Sequence, residues 1–259
     1  MSETAGRTIT VAAVLCGVCS VMVAGAVVML KPKQDFNRDL DFKKNILKSA
    51  GLLSEGADIN AIYAQNVTPG VIDVSTGGFV EGLDPAKYSQ SKADKDTTLV
   101  EDIPSGKDPA NIKRRAKYQQ VFIIKKDGTL DQVVLHVYGK GLWSTMKGFL
   151  SVDKDGNTIR GFNYYAHGET PGLGGEVDNP KWISQWAGKK LFDDTGDYRP
   201  KTKVLKGAVN PQDPNAAYQI DGLSGATLTS VGIEGTFKYW TGEEGYGKFL
   251  AKLRNGEIQ

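Results

Sequence analysis

The chain of 259 residues carries 32 Lys and Arg against 30 Asp and Glu, for a net charge of +2. Charges this evenly balanced, with no basic stripe interleaved with aromatic residues, speak against nucleic acid as a partner. The only two cysteines, Cys16 and Cys19, lie in one apolar run, so no disulfide or cysteine-ligated metal is expected in the rest of the chain.

That run, Thr8 to Leu30, holds no charged residue. A helix of about 23 residues rises about 34 Å, enough to cross a hydrocarbon core of about 30 Å. An uncleaved membrane anchor is expected over residues 1–31. The rival reading, a cleaved signal peptide, normally has a shorter apolar core. Neither cysteine follows a small-residue lipobox, since Ala13-Val14-Leu15 precedes Cys16 and Cys16-Gly17-Val18 precedes Cys19. The two cysteines have the spacing of a redox or metal pair. Ala13, Gly17, Ser20 and Ala24, however, form a smooth helical ridge, which points to packing against membrane partners. Only Arg7 is basic before the run, whereas Lys31, Lys33, Arg38, Lys43 and Lys44 follow it. Taken alone, this bias would put the rest of the chain in the cytoplasm.

Residues 32–118 read as a membrane-proximal helix and an irregular α/β segment. Asp35 is expected to cap a helix with Phe36, Leu40, Ile46, Leu47 and Ala50 as its apolar face, ending near Gly51. From Asn66 to Asn111 the periodicity is poor and Asp, Lys, Gly, Pro and Ser are frequent, so irregular connections with short strands are expected. Residues 119–259 carry clearer signals. Apolar runs on either side of Asp127-Gly128 predict one hairpin, and Phe149 to Tyr164, with Asp155-Gly156-Asn157 in its middle, predicts another. A helix is expected over Pro180 to Lys190 with Trp182, Ile183 and Trp186 inward, then a strand over Thr202 to Lys206. A C-terminal helix starts at Thr227, uses Leu228, Val231, Phe237 and Trp240, and is interrupted between Gly242 and Gly247 before Phe249 and Leu250. Neither an internal repeat nor a dinucleotide-binding glycine fingerprint is present. The fold class is therefore α+β, an antiparallel sheet with flanking helices.

Three segments carry chemistry. Asp221-Gly222-Leu223-Ser224-Gly225-Ala226-Thr227 is a turn opening into the last helix. Its glycines let the backbone approach a ligand, Ser224, Thr227, Thr229 and Ser230 offer hydroxyls, and free N–H groups at the helix start suit a phosphate. Composition alone also allows a plain turn and N-cap. A nucleophilic Ser224 is a further reading, although Ala226 departs from the Gly-x-Ser-x-Gly pattern. Gly139-Lys140-Gly141-Leu142-Trp143-Ser144-Thr145 lies between two predicted strands, where Leu142 and Trp143 either cover an aromatic ring or serve a hairpin loop and core. His167-Gly168-Glu169-Thr170-Pro171-Gly172-Leu173-Gly174-Gly175-Glu176 is a long Gly/Pro-rich loop after a strand. His167 and Glu169 are too few ligands for a zinc site, with His136 the only other histidine.

In this order, spanning Gly139 to Ser230, the segments resemble three motifs of bacterial FMN-binding domains. These are a Gly-x-Gly-Leu-Trp loop, a His-x-Glu-Thr-Pro-Gly-Leu-Gly loop and the flavinylation motif Asp-Gly-x-Ser/Thr-Gly-Ala-Thr. The resemblance implies that a separate flavin transferase takes FMN from FAD and joins its phosphate to the Thr227 hydroxyl. It also implies that Ser224, Gly225 and Ala226 shape the phosphate turn and that Leu142 belongs to the cofactor-binding set. Trp143, Ser144 and Thr145 would line the phosphate and ribityl side, and Glu169, Thr170, Leu173 and Gly174 would border the isoalloxazine. Lys206 would offer charge near the flavin or phosphate, though an isolated Lys is most often solvated. Asp221 would serve the modification rather than electron transfer, since an acid repels the product phosphate.

With the anchor, the set is similar to the flavin-bearing subunits of the six-subunit Na+-translocating NADH:quinone oxidoreductase of bacterial inner membranes. The related ferredoxin-linked Rnf complex is the alternative. The resemblance implies a periplasmic domain, against the local charge bias, which relays electrons between redox centres of neighbouring subunits and needs no substrate pocket. Readings from other classes are a serine hydrolase using Ser224 and a membrane-tethered scaffold without a redox role.

Overall fold

The computed structural model describes residues 4–193, 195 and 199–258. The chain divides into two compact units, one ending at Lys43 and one beginning at Lys44.

From Ala5 onward the first unit is part of α1, Ala5–Ser49, one continuous helix of 45 residues that contains Pro32. Part of it is long and apolar enough to cross a membrane. Asp35 therefore sits in the helix interior and pairs with Arg38 at 3.3 Å instead of capping a second helix. One proline removes one N–H and crowds the preceding turn, but the Lys and Gln residues beside it favour helix and carry it through.

In the second unit, α2 (Ile59–Asn66) leads into β1 (Val67–Asp73) and β2 (Gly78–Phe79). The short α3 (Gln90–Ala93), β3 (Val100–Asp102) and β4 (Arg114–Ala116) follow. Next come the long strands β5 (Tyr118–Lys126), β6 (Thr129–Lys140), β7 (Thr145–Asp153) and β8 (Ile159–Ala166). The chain ends with α4 (Pro180–Ser184), β9 (Lys203–Val204), β10 (Gln219–Ile220), α5 (Thr227–Thr241) and α6 (Gly247–Arg254).

Both expected hairpins form. Asp127 and Gly128 take φ values of +52° and +78°, the turn geometry that matches the twist of β5 and β6. The six-stranded sheet runs β2-β1-β5-β6-β7-β8 and is antiparallel throughout. Strands from both sides of the boundary expected near residue 118 share it, because β1 pairs with β5 along its whole length. Pro69 is tolerated in β1 because β2 covers only Ile72 and Asp73 and leaves the edge beside Pro69 open.

The pleat sends alternate residues to opposite faces. Val133, Leu135 and Val137 of β6 join the larger core with Phe162, Trp186, Phe237 and Trp240. Trp186 stacks on Phe237 with ring centroids 4.2 Å apart. Burying each such ring contributes about 2–3 kcal/mol. The expected helix over Pro180 to Lys190 ends at Ser184, and the positive φ of Gly188, +82°, follows. Trp186 still reaches the core from the turn after it. On the other face, the last turn of α1 buries Ile46 and Leu47, and Gln132 Nε2 donates to Ala50 O at 3.0 Å. The strand expected over Thr202 to Lys206 narrows to β9, which pairs in parallel with β10. The break between α5 and α6 falls where the glycines predict it.

Helix α5 lies backbone against backbone on the end of β6. A Cβ at Gly232 would collide with Lys140 O, so no larger residue fits there without displacing the strand or helix.

On the α1 side of the sheet, His136 packs among Tyr138, Phe149 and Tyr165, with Nε2 2.8 Å from the Tyr165 hydroxyl. Burial lowers its pKa from 6.5 to about 3, and Lys147 adds repulsion to the charged form. The unfolded chain takes up a proton near 6.5 that the folded chain refuses until about 3, so His136 subtracts stability as pH falls through that window. Thermal unfolding of the detergent-solubilised chain with His136→Phe should lose less stability between these pH values than the parent. An equal acid-side loss in both would contradict this.

Candidate functional site

The turn before α5 is held from below. A Cβ at Gly222 would collide with Leu205 O, and Gly222 N–H donates to Gly207 O at 2.9 Å. Leu223 is buried and its N–H donates to Ser230 Oγ at 3.1 Å. Asp221 Oδ1 accepts from Val209 N–H at 2.7 Å, which buckles the 205–209 loop onto the turn. Lys206 is exposed on that loop and so is carried beside Gly222.

This anchoring leaves Ser224, Gly225 and Thr227 exposed, while Ala226 is buried. Gly225 takes a φ of +71°. Ala226 is the N-cap of α5 and has no side-chain oxygen to offer, and no side-chain cap bond is made. The first-turn N–H groups, with the positive end of the helix dipole, thus open beside the Thr227 hydroxyl.

Two loops form the walls. Leu142 and Trp143, on the loop joining β6 to β7, are 41% and 66% exposed, and Thr145 begins β7 on the surface. The loop after β8 presents Thr170 to solvent together with Leu173, which is 43% exposed. Leu173 leans on the turn, since a Cβ on Gly225 would be 2.9 Å from its Cδ2. Ser144 Oγ accepts from Gly168 N–H at 2.7 Å and ties the two loops.

Glu169 lies inside this arrangement, only 5% exposed. Its Oε1 accepts from the N–H groups of Trp143 at 3.0 Å and Ser144 at 3.2 Å. Oε2 accepts from Leu142 N–H at 3.2 Å and from the Thr229 hydroxyl at 2.7 Å. Gly141 and Gly174 leave the room, for a Cβ on either would stand 2.6 Å or 2.9 Å from a Glu169 oxygen. Burial pushes this carboxyl up, but the hydrogen bonds from Thr229, Trp143, Ser144 and Leu142 outweigh it and hold it below the ordinary carboxylate value.

The three motif segments and the loop of Lys206 therefore come together around the start of α5, whereas Cys16 and Cys19 lie apart in α1. Glu169, Thr229 and Ser230 turn their polar ends into the protein. Thr229 was legible only as one of several hydroxyls. Its link to Glu169 spans 60 residues and has no local signal. Both histidines are engaged away from Ser224: His136 pairs with Tyr165, and His167 Nε2 meets Asp178 at 2.9 Å while Nδ1 accepts from Glu169 N–H at 3.2 Å.

The FMN-binding domain family matches residues 141–241. The NqrC component of the Na(+)-translocating NADH-quinone reductase of Pseudomonas aeruginosa is 48% identical over 258 residues, covering 98% of each chain. Its Yersinia pestis counterpart is 44% identical over 262 residues, which is 100% of this chain and 96% of that one. Among solved structures, Shewanella oneidensis NqrC superposes with a TM-score of 0.75 at 35% identity, covering 83% of this chain and 97% of its own. The Parabacteroides distasonis protein of the same name follows with a TM-score of 0.65 at 29% identity, covering 85% and 96%. With full-length relatives this similar, and with both wall loops and the Thr227 turn inside the matched domain, the chain belongs to the NqrC family of Na(+)-translocating NADH-quinone reductase subunits.

Proposed function

We propose that this protein is a membrane-anchored flavoprotein that carries FMN as a phosphoester on Thr227. In this reading it relays electrons between redox centres in neighbouring subunits of an Na(+)-translocating NADH-quinone reductase. The observation that carries the proposal is the exposed Thr227 hydroxyl on the first residue of an uncapped helix, beside exposed Leu142, Trp143 and Leu173.

The residues present fit the group. The open N–H groups of α5 suit a phosphate, with Ser224, Gly225 and Ala226 shaping the approach and Lys206 adding positive charge nearby. Ser144 and Thr145 supply polar contacts for the ribityl chain. Leu142, Trp143 and Leu173 are apolar surface of the kind that receives a flat ring, with Thr170 and Gly174 at its border. Bound FMN would supply reversible electron uptake, and the chain's own residues position it, limit its solvent exposure and set its electrostatics. A covalent link keeps the cofactor in place when its affinity changes with oxidation state. An exposed Thr227 also suits a flavin transferase, which must reach the hydroxyl from outside.

We assign anchoring to residues 1–31 and the flavin-bearing part to residues 119–259, with residues 32–118 between them supplying the first strands of the sheet. The anchor's length supports a single crossing of the inner membrane. We place the domain in the periplasm, as the family resemblance implies, against the basic residues that follow Leu30.

Peptide mass spectrometry of protein from its native membrane should find the FMN adduct on the peptide containing Thr227, and Thr227→Ala should abolish it. Flavin persisting on the denatured Ala variant would move the attachment elsewhere. Protease added to intact spheroplasts should digest the domain while a cytoplasmic control survives. Protection of the domain until lysis would show that the charge bias sets the orientation.

A further inference from the structure

Three consecutive backbone N–H groups, from Leu142, Trp143 and Ser144, converge on one carboxylate. Converging backbone donors of this kind make an anion site, and such sites in loops commonly take the anion of a ligand. Here the anion is Glu169 of the chain itself, so the site is filled from within. The same carboxylate takes the hydroxyl of Thr229, two residues along α5 from Thr227. One buried charge thereby connects the loop that carries Trp143, the loop that carries Leu173 and the helix that carries Thr227.

We infer that Glu169 is a positioning residue: an internal anion that locks the 141–144 loop against the first turn of α5 and lowers the reduction potential of a flavin on Thr227 without touching it. The inference rests on the reading of Thr227 as the flavin site. The positioning follows from geometry. The loop amides have their donors taken up before any cofactor arrives, and Leu142 and Trp143 stand outward because their N–H groups are held inward. The electrostatic effect follows from charge. Reduction places negative charge on the flavin, and a fixed carboxylate behind the first turn of α5 opposes it through a poorly screening interior.

Glu169→Gln keeps the shape, removes the charge and sets an amide NH2 against at least one backbone N–H, which cannot accept. Two measurements on the full chain test the inference. Hydrogen exchange of the Leu142–Ser144 amides, followed by mass spectrometry on protein made without flavin, should quicken about tenfold or more, as befits losing hydrogen bonds to a charged acceptor. The flavin midpoint potential of the flavinylated variant should shift positive relative to the parent. Parental exchange in the loop overturns the positioning role, and an unshifted or more negative potential overturns the electrostatic one. Absence of flavin on the parent protein would overturn the Thr227 reading instead, while the exchange measurement still decides what Glu169 does. Should the Gln variant fail to fold or to accept flavin, Thr229→Val keeps the charge but cuts the tie to α5. It should quicken exchange in the loop without a positive shift in potential. Parental exchange, or a positive shift as large as removal of the charge would give, overturns the inference.

Discussion

The candidate site depends on burying one carboxylate. Removing an ion from water costs several kcal/mol even after the protein relaxes. Glu169 offsets this with three backbone N–H bonds and the Thr229 hydroxyl, where a hydrogen bond to a charged group contributes about 1.5–3 kcal/mol. Each of the four donors that converges shifts the balance toward burial. That convergence explains why Gly141 and Gly174 stand where a side chain would strike the carboxylate. It also ties together loops that lie far apart in sequence.

The rest of the fold serves this convergence. The long strands β6 and β7 present the 141–144 loop from a rigid edge, and β8 delivers the loop of Glu169 beside it. Helix α5 is brought down onto the end of β6 by the close approach at Gly232, so its first turn meets both loops. Loops carried on a packed sheet are held more closely than loops on a mobile support. In the proposed function the chain contributes position, exposure and charge, and bound FMN would supply the electron chemistry.

Much of this was legible in the sequence where the signal is local. Asp127-Gly128 specified a hairpin because both positions accept positive φ, and the glycines after Thr241 marked the helix break. The three motif segments marked the site, because each is a short run whose backbone requirements show in its residues. What the sequence concealed depends on distant partners. Thr68-Pro69-Gly70 breaks the strand pattern, yet β1 is fully paired because β5 supplies the ladder on its other side. The helix expected to start at Asp35 is instead part of one that runs from Ala5 to Ser49, because the helix formers beside Pro32 override its break. The inward turn of Glu169 could not be read locally either, since its donors lie about 26 residues before it and 60 after.

The proposed relay role is tested most directly by rapid mixing of the assembled complex with NADH. The flavin at Thr227 is isolated as the absorbance difference between the parent complex and one assembled with Thr227→Ala. The account predicts that this component bleaches within the time of one turnover and recovers when quinone is added. A component that stays oxidised through steady turnover would contradict it.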